Sequence, residues 1–283
     1  MQLIRDIASL REALFTLRTG GGGRIALVPT MGALHQGHMS LVRAAKERAD
    51  HVVVSIFVNP TQFGPNEDLD AYPRQEAQDA ALLEAEGAAI LWAPSVAEMY
   101  PAGFATSIGV GGVTAPLEGA HRPGHFDGVA TIVCKLFNQV GPDVALFGEK
   151  DYQQLAVIRR MARDLDLPVD IVGVPTARAE DGLALSSRNA YLSVDERRRA
   201  VELPAAMREA VARLEAGEEA NGVLAEARAR IEKAGFGPVD YVELADAISL
   251  EPVRTLAHPA RLLVAARLGK TRLIDNFHVK STK

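Results

Sequence analysis

The sequence contains one cysteine, Cys134, so no disulfide can form within the chain. It also lacks any apolar run near the roughly 20 residues that a membrane-spanning helix needs, and no membrane partner is expected. Positive charge is not in excess. With 31 Lys and Arg against 36 Asp and Glu, the net charge is -5, which argues against a surface built mainly for phosphodiester backbones, and no nucleic-acid partner is expected. The amino-terminal "MQLIRDIASLREALF" carries acidic residues where a signal peptide needs an unbroken apolar core, so a cytoplasmic location is expected. There is no internal repeat or long low-complexity tract. What remains is a chain of 283 residues, 48% hydrophobic and 24% charged, able to bury one large core or two smaller ones.

Short β-branched runs alternate with helical patterns through the first two thirds. "RIALVPT" (Arg24–Thr30), "HVVVSIFV" (His51–Val58), "AAILWAP" (Ala88–Pro94), "DVALFGE" (Asp143–Glu149) and "VDIVGVP" (Val169–Pro175) are continuously apolar, as parallel strands buried on both faces are. Between them, "HMSLVRAAKERAD", "RQEAQDAALLEAEGA", "GVATIVCKLFNQV" and "YQQLAVIRRMARDL" repeat apolar residues at three and four, which predicts helices. The fold class is therefore α/β, a Rossmann-like doubly wound parallel sheet over residues 1–176, with ligands outside the carboxyl ends of its strands. Beyond Pro175 the texture changes to a polar loop, two Ala/Glu/Arg-rich helices between about Val194 and Ala234, and the runs "VDYVELAD", "ARLLVAARLG" and "TRLIDNFHV" (Thr271–Val279), suited to a small antiparallel sheet. These predict a smaller α+β carboxyl-terminal domain over 177–283, one whose cationic loop could close over the site.

Four segments place polar chemistry at the predicted strand ends. "VPTMGALHQGHMSLV" passes from a strand into a helix expected to start near Gly37 or His38. A helix amino terminus offers unpaired N–H groups suited to phosphate, and imidazoles from His35 and His38 could add donors; the pair could equally cap the helix. A metal reading is weaker, because zinc needs three or four protein ligands and no third is evident. The second strand runs into "NPTQFGPNEDLDAYPR", where Asn59 and Gln62 carry amides that bind hydroxyl and carboxylate groups; the segment reads as a mobile lid or an ordinary turn. "GEKDYQQ" puts Gly148, Lys150, Asp151 and Gln154 at the same edge, a lysine for phosphate and an aspartate for ribose hydroxyls. "DGLALSSRNAYLS" supplies Ser186, Ser187 and Arg188, or a helix-capping loop.

Together, "TMGALHQGH", "FVNPTQF", "RPGHFDGVATIV", "FGEKDYQQ" and "DGLALSSRN", in this order, resemble the pantoate–β-alanine ligase family over about Val28 to Ser193. That family belongs to the H-x-G-H nucleotidyltransferase superfamily, in which Gln36 fills the variable position and Arg188 stands for the lysine of the synthetase loop. The resemblance implies ATP-dependent condensation of (R)-pantoate with β-alanine to pantothenate, AMP and diphosphate through a pantoyl-adenylate, with magnesium on the ATP phosphates and a homodimeric assembly. It further implies that Met31, Gly32, Ala33, Leu34, His35, Gln36, Gly37 and His38 contact ATP. Gly148, Glu149, Lys150, Asp151, Ala177, Leu185, Ser186, Ser187 and Arg188 join them. His35, His38, Lys150 and Arg188 would stabilise phosphate charge, Gln62 would bind pantoate and β-alanine, Gln154 pantoate, and Asn59 a phosphate-side group. Another H-x-G-H nucleotidyltransferase, or a nucleotide sensor without turnover, would share the histidines; the first should not need the two glutamines.

Other features attract simpler readings. "TGGGGR" has the glycines of a phosphate loop without its Lys-Ser/Thr pair. His121 and His125 flank Pro123 and Gly124 and read as loop residues. "NEDLD" lacks a full calcium-ligand series and reads as a solvated lid. "ERRR" (Glu196–Arg199) reads as a polar helix face, and Cys134 as core.

Overall fold

The buried runs assemble, in a computed structural model, into one six-stranded parallel sheet; the structure describes residues 1–20, 23–65 and 67–281. The strands are β1 (Gln2–Ile4), β2 (Ile25–Thr30), β3 (His51–Ile56), β4 (Ile90–Trp92), β5 (Val144–Gly148) and β6 (Asp170–Val174). Their order is β1-β4-β3-β2-β5-β6. From β2 the chain moves outward through β3 and β4 on one side, while β5 and β6 build the other. The order therefore reverses at β2, and the crevice at its carboxyl end is where such sheets bind ligands. The centre of the sheet is dry: Ile25, Ala26, Leu27 and Val28 of β2 are fully buried, as residues covered on both faces must be.

β1 escaped the sequence reading because three residues are too few to show a period. It pairs with β4 at the edge and leads into a helix, Ile7–Thr19, whose first turn is capped by Asp6 accepting from the Ser9 N–H at 2.8 Å. β4 ends in Trp92, the chain's single tryptophan; it is fully buried and its indole N–H donates to Gln139 Oε1 at 3.1 Å. Cys134 is buried on the helix His125–Val140, where burial raises its thiol pKa. Two sequence readings meet residues outside the described set: the middle of "TGGGGR", Gly21 and Gly22, and Asn66 of "NEDLD".

The chain forms two compact units. The first holds the parallel sheet, over residues 1–114, 122–149 and 154–175. The second comprises Thr176–Lys283 together with Ala115–His121 and Lys150–Gln153. It is built on an antiparallel sheet, β7 (Phe236–Asp246), β8 (Ala260–Leu268) and β9 (Thr271–Val279). Helices Val194–Ala200, Glu202–Glu215 and Ala220–Lys233 stand where two were expected. The extra break falls at Val201 because Pro204, in the first turn of the next helix, has no N–H to bond the Ala200 carbonyl. "ERRR" lies on the first of these helices, opened by a capping box between Ser193 and Glu196.

This second unit contains a buried ionic cluster. Arg272 makes two bonds to Glu118, both 2.7 Å, and a third to Asp240 at 2.7 Å; the Tyr241 hydroxyl donates to Glu118 at 2.6 Å. Burial first, and the Glu118 charge second, push the Tyr241 phenol far above its ordinary value, so it stays protonated and donating. Gln153, also buried, accepts from the Glu118 N–H at 3.0 Å and donates to the Pro116 carbonyl at 2.8 Å, which fastens the inserted segments to each other.

Candidate active site

The turn after β2 is held in a shape its sequence does not favour. Gly32 has φ +84° and Ala33 φ +51°, two successive left-handed residues, and only the first is a glycine. Asp79, almost fully buried on the helix Glu76–Ala85, stabilises them: its two oxygens accept the Ala33 and Leu34 N–H groups at 2.9 and 2.8 Å. A Cβ at Gly32 would meet Ile56 at 3.1 Å and that carboxylate at 3.2 Å. Sequence reasoning missed Asp79, although a carboxylate four residues before the buried Leu83 on the same helix face was a signal. Asp79→Asn keeps the volume but turns one acceptor into a donor facing a backbone N–H. We expect a loss of roughly 1–3 kcal/mol in stability together with reduced turnover, and an unchanged thermal melt would refute the clamp.

The helix Gln36–Lys46 starts one or two residues earlier than expected, because His35 itself is the cap. His35 Nδ1 accepts the Gly37 N–H at 3.1 Å, and His38 Nδ1 accepts the His35 N–H at 3.2 Å. Each Nδ1 thus faces a backbone donor, so the ring proton of each neutral imidazole sits on Nε2. The two rings lie 4.2 Å apart. Of the two readings left open by the sequence, capping is the one seen here, and the bonds that cap the helix also set which nitrogen of each neutral ring can donate.

After β3, a short turn Pro60–Gln62 carries the amides. Asn59 is fully buried. Its Oδ1 accepts the Thr61 N–H (3.4 Å) and the Thr61 and Tyr100 hydroxyls (3.0 and 2.8 Å), and its Nδ2 donates to the Gly128 carbonyl at 3.1 Å. The remaining Nδ2 hydrogen goes to Gln62 Oε1 at 3.0 Å. Both amide hydrogens of Asn59 are therefore engaged inside the unit, and what they do is orient Gln62 so that its Nε2 is the end left to donate. The helix His125–Val140 comes close enough here that a Cβ on Gly128 would sit 2.4 Å from the Thr61 carbonyl oxygen. The Gln62 carbonyl is held as well, by His125 Nδ1 at 2.9 Å and Arg122 Nη2 at 3.2 Å. Arg122 also grips Glu67 at 2.6 and 2.7 Å. Burial raises the Glu67 pKa, but the Arg122 bonds and charge outweigh it and hold this carboxyl below its usual range. The expected lid is thus tied down at Glu67, and His125 opens a helix rather than lying in a loop.

Gly148 ends β5, Glu149 follows it, and Gln154 lies in the first turn of the helix Tyr152–Asp164; all three belong to the first unit, with Met31–His38, Asn59 and Gln62. Lys150 and Asp151 belong to the second, their charged ends 3.8 Å apart. So do Ala177, Leu185, Ser186, Ser187 and Arg188. Ala177 and Leu185 face each other across a small hairpin, the Leu185 N–H donating to the Ala177 carbonyl at 2.9 Å. Ser186 then caps the turn Ser187–Tyr191 by accepting the Arg188 N–H at 3.3 Å. "SSRN" is hence a capped turn that carries a cation.

Comparison with known proteins finds a match over residues 2–278 to the family model described as Pantoate-beta-alanine ligase. A pantothenate synthetase of Rhizorhabdus wittichii is 63% identical over 280 residues, 99% of each chain. One of Novosphingobium aromaticivorans is 65% identical over 284 residues, again 99% of each. Among solved structures, pantothenate synthetase from Thermus thermophilus superposes with a TM-score of 0.91 at 48% identity, covering 99% of this chain and 100% of that one. A pantoate-beta-alanine ligase from Francisella tularensis, complexed with beta-gamma ATP and beta-alanine, gives 0.83 at 35% identity over 98% and 97%.

Proposed function

The chain belongs to the pantoate-beta-alanine ligase family, and from that premise we propose how its residues join (R)-pantoate to β-alanine at the expense of ATP. It is an ATP-dependent carbon–nitrogen ligase that forms pantothenate, AMP and diphosphate through a pantoyl-adenylate. A carboxylate does not condense with an amine in water until one oxygen becomes a leaving group. Attack of the pantoate carboxylate on the α-phosphorus expels diphosphate, and the β-alanine amine then attacks the acyl carbon and expels AMP. No protein nucleophile is required, so positioning and charge stabilisation carry the catalysis.

The observation that carries the assignment of roles is the pair of backbone N–H groups that donate to Nδ1 of the two histidines. With Nδ1 of each ring taken by a backbone N–H, His35 and His38 offer Nε2–H donors at the amino end of a helix, where phosphate oxygens gain negative charge during adenylate formation. Met31–Leu34, Gln36 and Gly37 line the nucleotide with their main chain. Lys150 and Arg188 neutralise phosphate, Ser186 and Ser187 donate to it, Gly148, Glu149 and Asp151 meet the ribose side, and Ala177 and Leu185 the adenine. Gln62, fixed with its donor end available, takes an oxygen of pantoate and then neighbours β-alanine; Gln154 takes pantoate. Asn59 acts through Gln62. Among the described residues no group of three or more His, Cys, Asp or Glu could hold a metal ion. Magnesium is proposed to ride on the ATP phosphates, as the family resemblance implies, and no step is assigned to it. A cytoplasmic homodimer completes the proposal.

Exchange of labelled pyrophosphate into ATP tests this sequence of steps. Without β-alanine the enzyme should exchange label when (R)-pantoate and magnesium are present, and β-alanine should then release AMP and form the amide. Exchange that needs no pantoate would favour a different H-x-G-H nucleotidyltransferase. Gln62→Ala should raise the pantoate KM by roughly 10-fold or more with little change for ATP, as loss of one hydrogen bond to a charged or polar ligand does. The opposite ranking in binding titrations would displace Gln62 from the pantoate site.

A further inference from the structure

The turn that bears Lys150 and the hairpin of Arg178 that leads to Arg188, distant in sequence, are anchored in the second unit to adjacent residues of its last strand, β9. Asp275 and Asn276 are both buried polar residues. Neighbours on a strand point to opposite faces, so Asp275 shares the face of Leu273 and Phe277 while Asn276 shares that of Arg272 and Ile274. Burying a polar side chain on each face of a strand is unfavourable unless both are satisfied.

Each of them holds one segment. Asn276 Nδ2 donates to the main-chain carbonyl of Lys150 at 2.9 Å, and its Oδ1 accepts from Arg261 at 3.1 Å. Asp275 takes both guanidinium arms of Arg178, at 2.7 and 2.9 Å, and also accepts the Asn276 N–H at 2.8 Å. Arg178 in turn donates to the Gly182 carbonyl at 3.1 Å and to the Asn276 carbonyl at 3.3 Å, and lies 4.1 Å over the Phe277 ring. Arg178 and Gly182 belong to the hairpin of residues 177–185, whose two arms bond between Ala179 and Leu183 and between Ala177 and Leu185 at 2.9 Å each. That hairpin runs straight into Ser186–Arg188.

We infer that Asp275 and Asn276 are positioning residues that set the turn bearing Lys150 and the hairpin leading to Arg188 in one common frame, giving the two cations a fixed spacing. The inference rests on the proposed phosphate role of Lys150 and Arg188. Two cations gain most when preorganised, because charge placed before the reaction needs no reorganisation during it, and a misplacement near 1 Å can lower a rate roughly 10²-fold. A backbone carbonyl is a suitable handle: it fixes where the lysine stem begins and leaves the ammonium for its ligand.

The test uses the full chain and pyrophosphate exchange at saturating pantoate. Asn276→Ala should lower the exchange rate roughly 10-fold, with an unchanged pantoate dissociation constant and little loss of melting temperature; Asn276→Ser serves if the alanine variant does not fold. Asp275→Asn, which weakens the Arg178 pair, should act in the same direction. The decisive readout is a double-mutant cycle. In a Lys150→Ala background, Asn276→Ala should add no further loss, because its only route to the chemistry is gone. Additive losses would assign Asn276 a purely structural part and overturn the inference, as would a folded Asn276→Ala enzyme exchanging at the unmodified rate. Full exchange by Lys150→Ala would instead overturn the reading of Lys150, and the inference with it.

Discussion

Turnover of Lys150→Ala should fall roughly 10²- to 10³-fold, the loss that accompanies removal of a preorganised charge-stabilising donor. Its side chain is only 20% exposed, and its main chain is held by Asn276, so the ammonium already sits in a restricted volume before ATP arrives. The acid beside it, Asp151, is half exposed and 3.8 Å away, a contact too weak to account for so confined a lysine by itself. Folding should survive, since the ammonium forms no part of either apolar core. Lys150→Arg is the companion variant: it keeps the charge but spreads it over a planar fork, and partial recovery is expected. Measurement of kcat with a parallel melting curve decides the matter. Near-normal kcat in a folded Lys150→Ala enzyme would remove the lysine from the chemistry.

His38→Ala should depress pyrophosphate exchange by roughly 10²-fold or more, rather than slowing only the amine step. The substitution removes two things at once, the Nε2 donor and the Nδ1 acceptor that caps the helix through the His35 N–H. His38→Asn separates them. The asparagine Oδ1 reaches about where Nδ1 lies and restores the cap, but nothing replaces the Nε2–H. If donation to phosphate is the function, exchange stays low in both variants while stability returns in the second. Restored exchange in His38→Asn would make capping the whole contribution of His38, and loss confined to the amine step would move it to the second half-reaction.

The parallel sheet was legible because its strands are buried on both faces, and continuous apolar runs such as Ile25–Val28 leave no competing period. The three antiparallel strands were legible from their β-rich runs, and β9 falls on the residues expected, Thr271–Val279. β1 was not, for it has three residues and draws its stability from pairing with β4 rather than from any local preference. Nor could a single cut of the sequence near residue 177 reveal that Ala115–His121 and Lys150–Gln153 pack with the second unit, since Gln153, Glu118 and Arg272 find each other only in space. At the candidate site, motifs showed which residue types follow the strands in sequence. They were silent on Asp79, Asn276 and Arg178, whose contribution is a bond to someone else's backbone or side chain, a property without spacing in sequence. The burial of Asn59 was likewise invisible: an amide that binds a ligand and an amide that aims its neighbour have the same letter.

Trp92 gives the protein a spectroscopic label confined to half of its architecture. The single indole lies in the dry interior of the parallel-sheet unit, bonded to Gln139, and the second unit has none. Emission excited selectively at tryptophan thus follows the melting of one unit, while the far-ultraviolet helical signal follows both. Superimposed transitions from the two probes would mean that the units unfold as one cooperative body; a displaced emission curve would give each unit its own stability without any need to cut the chain.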